Sequence, residues 1–318
     1  MDFMNELSKK IKEQRNIRES SLKIYLSNIK KLYKMLGNDE DPKNLKFLNN
    51  KNAVDKVLED KKLSTKKTYY ASIIVILMTE DKDSDLVKKY RSEMEEMAET
   101  YKKEQETQQK SNIQKKNWSS LDSLIEVMNN YDKQIKKQKL CKKETLNKKE
   151  YDLVQMWIVC NLYLHDENPP MRLDYAMMRV KKKNDFDKLS VLEKKNNYLV
   201  VNSRNKKYFF FGDYKTQKQY GDKQIEVNKK LNSALNCWLK YNTSGFLLVN
   251  SQGNAMNENG LTKYLGKVFS PTGKLISVNM LRHIFISSKF KPELNEKQII
   301  ADKMGHSTKQ QELYIKKD

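Results

Sequence analysis

The sequence predicts a mainly α protein with one small antiparallel β-sheet, divided between two domains. Three observations carry this. Apolar residues recur at spacings of three and four through most of the chain, which is the period of a buried helix face. Short runs rich in Tyr, Phe and Val, separated by polar turns, are grouped between residues 198 and 227. A chain of 318 residues also has the usual length of two domains. With 38% hydrophobic residues it can bury two modest cores.

Residues Ser21 to Leu36 read as an amphipathic helix. Leu22, Tyr25, Leu26, Ile29, Leu32, Tyr33 and Leu36 form its apolar stripe, with lysines between them. Ser20 or Ser21 can cap its start, and Gly37 suits its end. Asp41-Pro42 opens a shorter helical stretch through Phe47, Val54, Val57 and Leu58. Ser64 and Thr65 precede the dense apolar run from Tyr69 to Met78, which predicts a buried helix. From Ser84 to about Lys103 a charged helix carries Leu86, Tyr90, Met94, Met97 and Tyr101 on one stripe. Residues 1–106 are therefore expected to form a small all-helical domain. Residues 107–117 are polar, almost without apolar anchors, and read as a linker.

The second domain is expected over 118–318. Ser119 is placed to cap a helix through Leu121, Leu124, Ile125 and Met128. A second helix runs from about Asn147 through Leu153, Met156, Trp157, Cys160 and Leu164, and Pro169-Pro170 stops it. Strands are expected at 198–201 and 208–211, then at 214–216 and 224–227, each pair flanking a polar turn. Helices resume at 228–241, 261–269, 277–289 and 295–304.

Formal charge is +21, from 62 Lys+Arg against 41 Asp+Glu. Such an excess sets up a positive field that favours a polyanionic partner, of which nucleic acid is the commonest. A basic membrane-surface protein would need an amphipathic anchor or a lipidation motif, and neither is present. A lysine-rich soluble protein with no polyanion partner is the bland alternative. No apolar run approaches the roughly 20 residues of a membrane span, and Met1 to Glu6 lack the apolar core of a signal peptide. A soluble intracellular protein, working where DNA is, is expected. Cys141, Cys160 and Cys237 have no CxxC spacing, so neither a zinc site nor a disulfide framework is indicated.

Five residues, in order, carry the functional reading. Arg172 lies in Pro169-Pro170-Met171-Arg172-Leu173-Asp174, after a helix. Lys215 lies in Tyr214-Lys215-Thr216, within the strand region. Arg282 lies in Asn279-Met280-Leu281-Arg282-His283, His306 in Met304-Gly305-His306, and Tyr314 follows His306 by eight positions. This series resembles the signature of the tyrosine recombinases, the integrase family that cuts and rejoins DNA through a phosphotyrosine. By motif the resemblance covers residues 118–318. Over 1–106 it is one of layout, matching the family's helical core-binding domain.

The resemblance implies a C-shaped clamp on duplex DNA and a division of labour. Arg172 and Arg282 grip the scissile phosphate, a task suited to the guanidinium, which pairs with phosphate through two parallel hydrogen bonds and keeps its charge. Lys215 is the general acid for the departing 5′-oxygen, with Lys218 and Lys223 as rivals in the same turn. His306 hydrogen-bonds a non-bridging oxygen or assists the nucleophile, and His283 supports packing or a phosphate contact. Tyr314 is the nucleophile, a phenol that needs a cationic nest to attack near neutral pH. His165 reads as an ordinary helix-end histidine. The bond energy is kept in the covalent link, so no metal, ATP or other cofactor is implied, and no nucleotide-binding glycine loop is present. Assembly as a homo-tetramer on paired DNA sites, and integration or excision of a viral or mobile genome, are the family's usual setting.

Two features depart from the family. Asn279 stands where a His or Lys is usual; an amide can donate to phosphate but cannot exchange a proton near pH 7. Four residues follow Tyr314, where many relatives continue into a helix that docks on a neighbouring subunit. A type IB topoisomerase would share the chemistry and relax supercoils as a monomer. A DNA-binding protein with a decayed site, or a basic RNA-binding or scaffold protein, are the readings from other classes.

Overall fold

The computed structural model describes residues 3–15, 17–165 and 170–304. The chain divides into two compact units, Met1–Gln109 and Lys110–Asp318.

The first unit is helical: α1 (Phe3–Gln14), α2 (Glu19–Met35), α3 (Lys51–Leu58), α4 (Leu63–Leu77) and α5 (Asp85–Glu106). The central element is α4. Tyr69, Tyr70 and the unbroken run Ser72 to Leu77 are all buried, so this helix is apolar on every side and its neighbours wrap it. Met4, Leu7 and Ile11 of α1, Leu22, Ile29 and Leu32 of α2, and Val87 and Tyr90 of α5 complete the core. Ser20 and Ser21 lie inside α2, whose N-cap is Arg18 with no side-chain cap. Gly37 has φ +90° and its N–H donates to the Lys34 carbonyl, so the helix ends at a position that L side chains rarely adopt.

The second unit begins within the stretch expected to act as a linker. Ser111 and Gln114 form a capping box that starts a short helix, α6 (Asn112–Asn117). Then come α7 (Leu121–Lys137), capped by Ser120 rather than Ser119, and α8 (Lys148–Leu164), whose start is a capping box of Asn147 and Glu150. A sheet follows, formed by β1 (Arg179–Lys182), β2 (Asn197–Val201), β3 (Lys207–Phe211) and β4 (Lys223–Glu226), in that spatial order. Short helices α9 (Lys183–Asp187) and α10 (Gln217–Tyr220) lie in its connections. The last elements are α11 (Lys229–Tyr241), α12 (Glu258–Val268) and α13 (Val278–Met304).

Mainly α with a small sheet is therefore the architecture, with three local differences from expectation. The sheet is mixed: β2–β3 and β3–β4 are antiparallel, but β1 runs parallel to β2 because the α9 segment returns the chain to the start of the sheet. Residues 214–216 are a turn leading into α10, not a strand. The two C-terminal helices expected at 277–289 and 295–304 are one continuous helix.

The sheet is buried on both faces. Leu199, Phe209 and Phe211 join the main core around α8, while Tyr198 and Val200 meet Phe186 of α9 on the other side; this alternation is the two-residue period of a strand. Gln155 of α8 ties the core to an irregular segment. Its Nε2 donates to the Val249 carbonyl and its Oε1 accepts from the Val249 N–H, both at 3.0 Å. One sequence inference is overturned: Cys141 and Cys237 are joined in a disulfide, with Cα atoms 5.1 Å apart across a separation of 96 residues. Linear spacing signals local loops and metal knuckles, and is blind to a pair that folding brings together. Among the described residues no helix is long and apolar enough to cross a membrane.

Candidate active site

The site is built on the turn after α8, which Asn197 of β2 and Arg282 of α13 both reach. Arg172 lies in a bend after α8, held by its backbone on two sides. Its carbonyl accepts from the Tyr163 hydroxyl at 2.8 Å, and its N–H donates to Asp174 Oδ2 at 3.2 Å. Tyr163 is fully buried, so the Arg172 backbone is fastened to the core. The Arg172 side chain is half-buried and, among the described residues, donates to no acceptor.

Arg282 reaches the same turn from α13. Ser277 Oγ accepts the Met280 N–H at 3.2 Å and caps the helix start, and Arg282 follows within the first two turns. Its Nη1 donates to the Pro170 carbonyl at 2.7 Å. Burial lowers the Arg282 pKa from its usual value, the Arg172 charge pushes the same way, and Asp174 opposes both. The Asp174 carboxyl is raised by burial, and the Arg172 backbone hydrogen bond and the two arginine charges pull it back down. The two guanidinium groups thus feel one another and share a single half-buried carboxylate. Two like charges act on one another near the first turns of α13, which carries Arg282. Such a site favours a bound anion.

Asn279, Arg282 and His283 stand three and four residues apart on one helix face. Asn279 and His283 are exposed there. Lys215 lies in the connection between β3 and β4 and is exposed. Tyr214 anchors this loop: its ring is buried and its hydroxyl donates to the Gly221 carbonyl at 2.7 Å. The Lys223 ammonium lies over the Tyr214 and Tyr220 rings, at 4.9 and 5.3 Å from their centroids, so that lysine is engaged in holding the loop. His165 closes α8 and meets Asn228, the cap of α11, through Nδ1 at 2.9 Å, a structural pairing. His306 and Tyr314 lie outside the described residues.

Three further residues matter that the motifs did not single out. Asp174 appears in the quoted Arg172 motif without a role. Asn197 opens β2 and spans from the Arg172 turn to the Lys215 loop: Nδ2 donates to the Asp174 carbonyl at 2.9 Å, and Oδ1 accepts the Asp213 N–H at 3.0 Å. Gly212 lets β3 leave the sheet against the backbone of residues 194–196. A Cβ there would lie 1.9 Å from the Lys194 carbonyl oxygen. The one visible signal is an Asn heading an otherwise apolar strand, a placement that strand propensity disfavours. Among the described residues no group of three or more His, Cys, Asp or Glu is placed to hold a metal ion.

No protein-family model and no curated protein matches the chain. Among solved structures, it is similar to a crystal structure of XerA recombinase, at 10% identity and TM-score 0.33 over 99% of this chain and 94% of that one. It is also similar to a crystal structure of the XerH site-specific recombinase bound to difH substrate in a pre-cleavage complex, at 16% identity and TM-score 0.45 over 98% and 81%. At such identities no residue role passes from those proteins to this one.

Proposed function

We propose that the protein is a site-specific DNA recombinase that cleaves and rejoins duplex DNA through a 3′-phosphotyrosyl intermediate. The observation that carries this reading is the hydrogen bond from Arg282 Nη1 to the Pro170 carbonyl, which brings α13 onto the turn that holds Arg172. A metal-free phosphoryl transfer needs charge stabilisation on the non-bridging oxygens, and a pair of guanidinium groups carried on anchored backbone supplies it. The +21 net charge suits a polyanionic substrate.

In the proposed reaction the arginine pair binds the scissile phosphate, with Asn279 and His283 flanking it on the α13 face. Tyr314 forms an O–P bond as the P–O5′ bond breaks, and the phenol proton passes to His306 or to water. Lys215 gives a proton to the departing 5′-oxygen. A 5′-hydroxyl from a partner strand then reverses the step, so the phosphodiester count is conserved and no cofactor is consumed. Residues 1–106 serve as a DNA-binding module and 118–318 as the catalytic one. A homo-tetramer on two paired sites, serving integration or excision of a mobile or viral genome, completes the reading.

The test is covalent trapping on a pool of nicked duplexes, read on denaturing gels with and without protease. The unsubstituted protein should give a protease-sensitive adduct. Arg172→Ala should slow its formation by about 10²-fold or more, and Tyr314→Phe should bind DNA but give none. An adduct formed at the normal rate by Tyr314→Phe would remove the proposed nucleophile.

A further inference from the structure

Asn197 lies at the head of β2, an inner, apolar strand of the sheet, and is only 9% exposed. A buried primary amide is costly there unless both its ends are used. Both are. Its NH2 donates to the Asp174 carbonyl and its oxygen accepts the Asp213 N–H, and only this orientation of the amide satisfies both partners. One partner belongs to the turn that also receives the Arg172 N–H. The other stands two residues before Lys215. The same junction is tightened by the Gly212 N–H, which donates to the Asn196 carbonyl.

We propose that Asn197 is a positioning residue that sets the Lys215 loop in register with the arginine pair, so that general acid and phosphate clamp face one bound phosphodiester. The inference rests on the recombinase reading above and adds a part to it. Lys215 itself is exposed and sits in a turn, so its aim must come from its anchors. Tyr214 closes the loop on itself, whereas Asn197 ties the loop to Asp174.

The chemistry offers a readout that a merely structural role would not move. In the reaction the P–O5′ bond breaks, its electron pair goes to O5′, and the Lys215 ammonium protonates that oxygen. When sulfur replaces the 5′-bridging oxygen, the leaving thiolate is stable without a proton, so the reaction no longer needs the acid. A defect confined to positioning Lys215 is therefore rescued by the sulfur substrate. A general loosening of the fold or of the arginine clamp is not.

The experiment compares the full-length protein with Asn197→Leu, which loses both hydrogen bonds, and Asn197→Asp, which keeps an acceptor for the Asp213 N–H. Lys215→Ala is the reference. A nicked duplex recovered by trapping from a randomised pool is resynthesised with a 5′-bridging oxygen or a 5′-bridging sulfur. With oxygen, Asn197→Leu should cleave about 10²-fold slower, the scale of a lost general acid, at nearly unchanged DNA affinity. With sulfur it should return to within several-fold of the unsubstituted protein, as should Lys215→Ala. If Asn197→Leu does not fold, Asn197→Asp carries the comparison, with a smaller loss and the same rescue. Equal losses on oxygen and sulfur would overturn the positioning role while leaving the recombinase reading intact. No adduct from the unsubstituted protein on any duplex would instead overturn that reading, and this inference with it.

Discussion

Arg282 donates a 2.7 Å hydrogen bond to the carbonyl oxygen of Pro170, 112 residues earlier in the chain. One guanidinium edge thus fastens α13 to the turn that carries Arg172, and among the described residues its other N–H groups donate to no acceptor. The fork geometry of arginine allows a phosphate contact at the same time. A lysine has three donors on one nitrogen but lacks the flat, wide fork that reaches a backbone carbonyl on one edge and a phosphate on the other.

Arg282→Lys should therefore keep its charge and most of its affinity for duplex DNA, yet lose cleavage by about 10²-fold. Single-turnover cleavage on a trapped duplex, beside salt-dependent binding, separates the two. Unchanged cleavage would show that the hydrogen bond to Pro170 is incidental.

Gly212→Ala should be among the most damaging single changes in the sheet. The added Cβ meets a backbone carbonyl at 1.9 Å, and backbone, unlike a side-chain tip, has nowhere to turn. We expect a loss of about 3 kcal/mol from forced displacement, measured by urea unfolding. The Lys215 loop should become more open to proteolysis at the same time. A variant of normal stability would mean that residues 194–196 are not held against β3.

Lys207 yields a pH-dependent expectation. The residue is only 3% exposed and, among the described residues, its ammonium donates to neutral acceptors: the Asn205 carbonyl, and the side-chain oxygens of Asn205, Asn232 and Asn236. Burial lowers its pKa to about 8, from an ordinary 10.5. Below about 8 both folded and unfolded chains carry the proton, and the fold bears the full cost of a desolvated charge. Between the two values the folded chain has shed a proton that the unfolded chain keeps, so stability rises with pH. Above the higher value neither state is charged and the cost is gone. Across this window the gain of the unsubstituted protein over Lys207→Met should grow by about 3 kcal/mol. Urea unfolding of both proteins at several pH values checks it. Parallel curves would place the charge in a better-solvated setting.

How much of this was legible in the sequence depends on the range of the interaction. The stripe of α2, the dense run of α4, the start of α8 near Asn147 and the strands at Tyr198–Val201 and Tyr208–Phe211 are written in neighbouring residues, and they can be read there. Arg172 and Arg282 stood out for the same reason, through the short motifs around them. Asn197 and Gly212 act on backbone atoms of residues well away in sequence, and backbone atoms leave no letter to read; Asp174 acts on a neighbour's N–H, and its coupling to Arg282 is what the sequence hides. Cys141 and Cys237 illustrate this again: their pairing across 96 residues is a product of packing. The parallel β1 was missed because Arg179–Lys182 is a basic, half-exposed edge strand, with no apolar alternation to mark it.

The most direct test of the account is to identify the residue that becomes linked to DNA. The unsubstituted protein would be trapped on nicked duplexes, digested with trypsin and nuclease, and the nucleotide-bearing peptide sequenced by tandem mass spectrometry. The account predicts a 3′-phosphonucleotide on Tyr314, in the peptide that runs from Gln310 to Lys316. A nucleotide on any other side chain would contradict the assignment of the nucleophile. Tight, salt-sensitive DNA binding with no linked peptide on any duplex would contradict the enzymatic reading itself.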